Sequence, residues 1–323
     1  MKTVVSIGEA LIDFIPEKKG CGLKDNAVFE RVCGGAPANV VAAVSLLGGS
    51  GRMVTQLGTD GFGDHIVEVL QNVGVKTDSI LRTDKANTSL AFVALKEDGN
   101  REFSFYRKPG ADMLLEDADL KKEWFTDCGA LHFCSVDLID CPMKEAHRKA
   151  IELAKEQGAI ISFDPNIRLP LWDDHEKLKQ TVREFIGFAD VLKISDEELE
   201  FITGKSDIHN AAPELFSKGV QMILFSEGAG GARVLTPEYE VQAPSVKVAV
   251  SDTTGAGDAV IGAFLYGLTE RNITCVSDIT KETAQKMLTF ANAYAAYSVM
   301  GKGAIAAYGT KEQVLSFMEE RGL

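Results

Sequence analysis

The strongest constraint on this sequence is an alternation. Short apolar runs of strand length fall at 3–8, 52–57, around Leu131, and at 160–163, 191–194 and 222–225, and helical apolar spacing lies between them, as at 143–157 and 177–188. Strands covered on both faces by helices read as continuous apolar runs, and their solution is an α/β fold built on a mostly parallel, doubly wound sheet flanked by helices. Two early segments fit the same scheme. Gly-Gly-Ala-Pro-Ala-Asn at 34–39 opens a helix with proline in its first turn and stops at Gly48-Gly49; a loop at 58–64 leads a second helix to Val73.

From Asn87 the period changes to two. Residues 90–95 and 102–106 alternate about a turn at 96–100, which spells a hairpin. Together with the charged, glycine-containing stretch at 17–31 it forms a small β element apart from the body. We therefore expect one domain over 1–323 carrying a small β lid from segments at about 15–33 and 87–108. Phe92, Phe103 and Phe105 on these strands suit either packing or ligand contact.

Composition narrows the function classes. The 323 residues carry a formal charge of −13 without a basic cluster, which argues against nucleic acid and anionic membrane surfaces as partners. No run approaches the roughly 18 apolar residues of a membrane span, and Met1 runs directly into a strand, so the expected location is cytoplasmic. The six cysteines are scattered, with no C-x-x-C pair and no histidine at ligand spacing, and reduced thiols follow. His132 near Cys128 and Cys134 reads as part of a buried strand.

In doubly wound sheets ligands bind beyond the carboxyl ends of the strands. That rule gathers Asp13, the 164–168 stretch Asp-Pro-Asn-Ile-Arg, Ser195-Asp196-Glu197-Glu198, Ser226-Glu227-Gly228, and the stretch at 252–258, Asp-Thr-Thr-Gly-Ala-Gly-Asp. The last places small residues at a helix N-terminus, where free amides and the helix dipole hold an anion without lysine. Asp258, one residue further, has two readings: it complements the dipole, or it accepts a proton from a group bound beside the anion. Neither G-x-x-x-x-G-K-[ST] nor a strand–G-x-G-x-x-G–helix unit is present. An amide-lined anion site with one acid suffices for phosphoryl transfer to a hydroxyl, which needs placement, charge stabilisation and a proton acceptor.

The stretches at 34–39 and 252–258 resemble the two signatures of the ribokinase family of carbohydrate kinases (the phosphofructokinase-B type), and the likeness covers nearly the whole chain. The resemblance implies a ribokinase-like fold, with Asp258 as the base that deprotonates a sugar hydroxyl and the amides of Gly255, Ala256 and Gly257 as the holder of the transferring phosphoryl group. It further implies sugar contacts at Asp13, Gly34, Gly35 and Asn39, and an arginine near sugar and phosphate at Arg168. ATP contacts are implied at Lys193, Ser226, Gly228, Gly231 and Asn292. The family's N-x-x-E magnesium motif is altered to Ser195-x-x-Glu198, which is also a helix capping box; Mg2+ through water at Glu198 is expected with ATP. A monovalent cation, K+, is implied around Asp252, Thr254, Ser298, Gly301 and Gly303. The Phe105-Tyr106-Arg107 and Arg168-Leu169-Pro170-Leu171-Trp172 stretches resemble fructokinases most, which assigns Phe105 and Arg107 to the sugar and makes D-fructose the expected acceptor. Ketodeoxygluconate kinases share similar stretches and are the alternative, with a non-catalytic sugar-binding regulator behind them. Exposed strand edges on the lid suit a homodimer.

Overall fold

The computed structural model describes residues 1–17, 20–95 and 101–323, with backbone alone at 95 and 101–103. The hairpin turn at 96–100 and the Phe103 side chain therefore lie outside the described residues. The strands are β1 (Thr3–Ile7), β2 (Leu11–Pro16), β3 (Phe29–Gly34), β4 (Ser50–Gly58), β5 (Ile80–Thr83), β6 (Leu90–Leu95), β7 (Arg101–Tyr106), β8 (Cys128–Cys134), β9 (Ile160–Asp164), β10 (Val191–Ser195), β11 (Met222–Ser226), β12 (Ala232–Leu235) and β13 (Glu240–Ala243). The helices are α1 (Ala36–Leu46), α2 (Gly61–Asn72), α3 (Pro142–Glu156), α4 (His175–Ile186), α5 (Asp196–Thr203), α6 (Ile208–Ser217), α7 (Ala256–Glu270), α8 (Lys281–Ser298) and α9 (Lys311–Glu319).

The main sheet runs β13-β12-β11-β10-β9-β8-β1-β4-β5. Every pairing from β11 through to β5 is parallel, and the β11–β12 and β12–β13 pairings are antiparallel, so β12 alone runs against the rest. Strands β8 and β9 are buried at every position, as strands covered on both faces must be. One face packs against α3 to α6 around Phe133, Phe163 and Phe185; the other packs against α1, α7 and α8 around Phe264 and Tyr294. His132 lies in this core, its Nδ1 3.0 Å from Ser162 Oγ. Among the described residues no helix is long and apolar enough to cross a membrane.

A second sheet, ordered β3-β2-β6-β7, stands apart from the first. Phe14 stacks on Phe92 at 4.6 Å, and Phe29 and Tyr106 pack edge-on to Phe92 at 5.4 and 5.3 Å, which makes that face aromatic. Asp13 pairs with Val32 and Ala91, and Ala91 pairs with Phe105, so these four share the opposite face.

Two expectations about position are corrected. Asp13 does not cap a main-sheet strand; it lies inside β2, because the chain leaves the main sheet after β1 and enters the small sheet at Leu11. The 252–258 stretch does not directly follow a strand either. After β13 the chain crosses the helix layer without regular structure, and Val246 and Val248 pack by Ala293, Ala296 and Phe317 instead of joining the sheet. Strands β5, β12 and β13 were not expected. Each has four residues, too few for periodicity to register.

Helices α1 and α7 cross at Gly262, where a Cβ would lie 2.8 Å from Ala43 Cβ and 3.1 Å from Val40 O. Gly262→Val forces the helices apart. Its expected cost is about 1–3 kcal/mol, read as a lower urea midpoint, with a parallel loss of turnover because both helices feed the site described next; an unchanged midpoint refutes the packing role.

Candidate active site

Helix α7 starts at Gly255, whose φ of 76° is left-handed and whose missing Cβ would meet Ala304 Cβ at 2.5 Å. The Tyr308 hydroxyl donates to Gly255 O at 2.8 Å and fixes this turn. Ala256 N reaches Thr253 O at 3.3 Å, while the amides of Gly255 and Gly257 have no backbone acceptor among the described residues. Lys193 Nζ stands 3.2 Å from where a Gly257 Cβ would be. Amides, dipole and ammonium thus converge at one helix N-terminus.

Asp258 is buried in the first turn of α7, 6% exposed. Its Oδ2 accepts from Asn39 Nδ2 at 2.8 Å and its Oδ1 from Asn166 Nδ2 at 3.3 Å. Burial raises its carboxyl above the ordinary range against the lowering pull of Asn39, Lys193 and Arg168, with Glu198 adding to the rise. Asn166 reaches it from a left-handed conformation (φ 45°), held by its own amide bonding Asp164 Oδ1 at 3.1 Å. A non-glycine residue in that region costs about 1–3 kcal/mol and persists where surrounding contacts dictate it.

Asp13 faces the same space. A Cβ on Gly34 would lie 2.1 Å from Asp13 Oδ2, so that glycine makes room for the carboxylate. Gly35 has φ 101° and presses its α-carbon on the backbone of Glu9, with a Cβ position only 2.5 Å from Glu9 O. Burial pushes Asp13 up to about 7; Arg168 opposes the rise, and Asp258 and Asp252 reinforce it. Arg168 itself is exposed, with Nη1 on Ile167 O at 3.1 Å, and its charge acts on both Asp13 and Asp258.

Lys193 forms a buried pair with Asp164, 3.0 Å from Oδ2. Burial works against its charge, but Asp164, Glu198 and Asp258 together raise the lysine above its usual range and keep it an ammonium. Glu198 serves as the capping-box residue of α5. It accepts Ser195 N at 2.9 Å and Ser195 Oγ at 3.0 Å on one oxygen, and Ile167 N at 2.9 Å on the other, which also pins the 164–168 loop. Despite burial it is held below the ordinary range by Lys193 and these bonds.

On the neighbouring strand ends, Ser195 pairs with Ser226, and Gly228 (φ 52°) and Gly231 (φ 102°) make the turn into β12. Asn292 is buried in α8 and donates to Ala243 O at 2.8 Å, tying down the end of β13. Asp252 accepts Thr254 N at 3.0 Å, Thr254 Oγ1 at 2.8 Å and Gly303 N at 3.0 Å, which brings the 252–254 and 301–303 turns together; Ser298 Oγ donates to Ala295 O and Gly301 N to Ser298 O.

The structure thus gathers Asp13, Asn39, Lys193, Glu198 and Asp258 with the 255–257 turn. Arg107 joins a different group. Its side chain, 1% exposed, is committed to Asp112 and Asp137, while Phe105 shares the Asp13 face of the small sheet. Sequence reasoning gathered Asp164 and Asn166 without giving either a role of its own, and it missed Tyr308. The first two sat beside Arg168 in a stretch already singled out; Tyr308, far along the chain, carried no local signal.

The Asp13 shift has a consequence for stability. An acid raised in the folded state adds stability below its unfolded value near 4 and loses it as pH climbs through about 7. Asp13→Asn is therefore expected to raise the melting temperature of the ligand-free protein at pH 8 and to leave it nearly unchanged at pH 4; an equal effect at both refutes the burial strain.

Comparison with known proteins agrees with this geometry. The model of the pfkB family of carbohydrate kinases matches residues 1–311. Probable fructokinase-2 of Arabidopsis thaliana is 41% identical over 317 residues, covering 98% of this chain and 95% of that protein. The crystal structure of fructokinase with bound ATP from Xylella fastidiosa superposes with a TM-score of 0.91 at 35% identity, covering 99% of each chain. That of Vibrio cholerae O395 fructokinase in its fructose, ADP and calcium ion bound form does so at 0.88 and 32%, covering 98% of this chain and 99% of that one. With a family model matching residues 1–311 and similarity to these enzymes over nearly the whole of each chain, this chain is a carbohydrate kinase belonging to the pfkB family.

Proposed function

We propose that this kinase transfers the γ-phosphoryl group of ATP to O6 of D-fructose, with Asp258 as the base. The observation that carries the reading is the Asp258 carboxylate itself: buried, raised in pKa, gripped by two asparagine amides, and one residue from the amides of the 255–257 turn. Each amide occupies one lone pair of a carboxylate oxygen, and each oxygen keeps another for the incoming hydroxyl proton. The raised pKa strengthens the acid as an acceptor, and proton transfer follows the developing attack on phosphorus. The Gly255 to Gly257 amides and the Lys193 ammonium meet the charge that spreads over the transferring group. The fructokinase relatives support ATP and fructose as the two substrates.

Sugar hydroxyls fall to Asp13, Asn39 and the Gly34-Gly35 turn, with Phe105 on the same face of the small sheet. Arg168 turns in to neutralise Asp13 and Asp258 as phosphate arrives. Ser226, Gly228 and Gly231 offer backbone and hydroxyl contacts to the nucleotide, and Asn292 shapes that wall. Magnesium bound with ATP neutralises phosphate charge. Glu198 Oε2 already accepts two protein hydrogen bonds and Oε1 one, so the lone pair left on Oε1 fits a metal-bound water. The Asp252–Gly303 link supports a monovalent cation held by the 252–254 and 298–303 turns. The small sheet acts as a lid over the acceptor, and its edge strands β3 and β7, with Tyr106 64% exposed, would seat a second copy in a homodimer.

Coupled assays across fructose, ribose, ketodeoxygluconate and adenosine should give the highest kcat/KM with fructose, and phosphorus NMR of the product should show the 6-phosphate. A preferred acceptor other than fructose overturns the substrate assignment. Asp258→Asn is expected to lower kcat by about 10² to 10⁴ with little change in sugar affinity, and near-normal turnover excludes it as the base.

A further inference from the structure

Four chain crossings join the small sheet to the main body: 8–10 into β2, 34–36 out of β3, 88–89 into β6 and 107–111 out of β7. All four meet at one buried group. Glu9 Oε1 accepts Ala36 N at 3.1 Å, which ties the first crossing to the second. The Ser89 hydroxyl donates to Asp112 Oδ1, and a Cβ on Gly110 would strike both, so the third and fourth crossings are locked against each other. Thr88 Oγ1 accepts Gly58 N at 3.1 Å, and Gln56 Nε2 donates to Ala111 O at 3.0 Å, which anchors the same two crossings to β4 of the main sheet.

Arg107 is at the centre. Its Nε and Nη2 lie 2.8 and 2.7 Å from Asp112 Oδ2, and it pairs also with Asp137, in the segment that follows β8. The first crossing reaches the same group at Gly8, where a Cβ would lie 3.8 Å from Asp137 Oδ2; burial raises the carboxyl of Glu9 beside it to about 7, and the Arg107 charge opposes that rise. The side chains of Arg107, Asp112 and Asp137 are 1%, 1% and 0% exposed, which leaves the guanidinium no open face for a ligand. Such a group is held by geometry. A planar guanidinium presents Nε and Nη2 together to one oxygen of Asp112 while lying against Asp137, and a lysine point charge does not.

We infer that Arg107 is a positioning residue: it clamps all four crossings in one arrangement and thereby sets where the small sheet, with Asp13 and Gly34, stands relative to Asp258. The inference rests on the sugar-kinase reading only for its kinetic consequence. The clamp itself consists of protein groups alone.

The test is amide hydrogen exchange of the ligand-free protein with Arg107→Lys and, separately, Ser89→Ala, followed by steady-state kinetics. Arg107→Lys should speed exchange roughly tenfold or more at 34–36, 88–94 and 107–111 while β8 to β10 keep their wild-type protection. The acceptor KM should rise roughly tenfold and the ATP KM stay within about twofold. Ser89→Ala removes one neutral donor from Asp112, and should speed the same segments by a smaller factor; it carries the test if the lysine variant does not fold. Uniform acceleration over the whole chain would mean that the group only adds global stability, and wild-type exchange at the crossings would mean that it clamps nothing. Either result overturns the inference. A poor response to fructose with the exchange pattern intact would instead count against the substrate assignment alone.

Discussion

Everything at the site depends on how closely α1 and α7 approach. Gly262 removes the one side chain that would hold the helices apart, and the contact with Ala43 and Val40 that results puts Asn39 within 2.8 Å of Asp258 although 219 positions separate them. A hydrogen bond to a buried charge contributes about 1.5–3 kcal/mol, and leaving such a carboxylate bare would cost more. The helix pair therefore both orients the acid and makes its burial tolerable. Burial in turn raises its proton affinity, so one packing contact supplies position and chemistry together.

Charge is distributed unevenly around that contact. Asp13, Asp164, Glu198, Asp252 and Asp258 crowd the site, with Lys193 and Arg168 as cations. Lys193 is fixed by Asp164 and faces Gly257, which brings its charge to the start of α7. Arg168 is exposed. A buried cation and an exposed one thus offset part of the mutual repulsion of this cluster of acids.

Much of the fold was legible because apolar periodicity reports burial directly. The parallel sheet followed from buried runs such as those that became β8 to β11, and the hairpin followed from period two at 90–106. The small sheet drew more strands than expected. β2 and β3 belong to it because the 11–16 run pairs with 29–34, a partnership that single-strand patterns do not encode. In the site, the glycine turns and Asp258 announced themselves by spacing. Asn166 did not, because its role depends on a left-handed backbone that only Asp164 and the Glu198–Ile167 bond enforce. Arg107 shows the opposite case: its sequence context suggested a sugar contact, and folding surrounded it with Asp112 and Asp137.

The sequence by itself determined the layered α/β architecture, the amide-lined start of α7 and the acid one residue beyond, since each rests on local periodicity, glycine conformation or helix-end electrostatics. Only the tertiary structure decided which polar groups surround that acid. Asn39, Asn166, Lys193 and Tyr308 come from four distant segments, and their convergence is set by helix packing and loop hydrogen bonds that no stretch of chain contains alone.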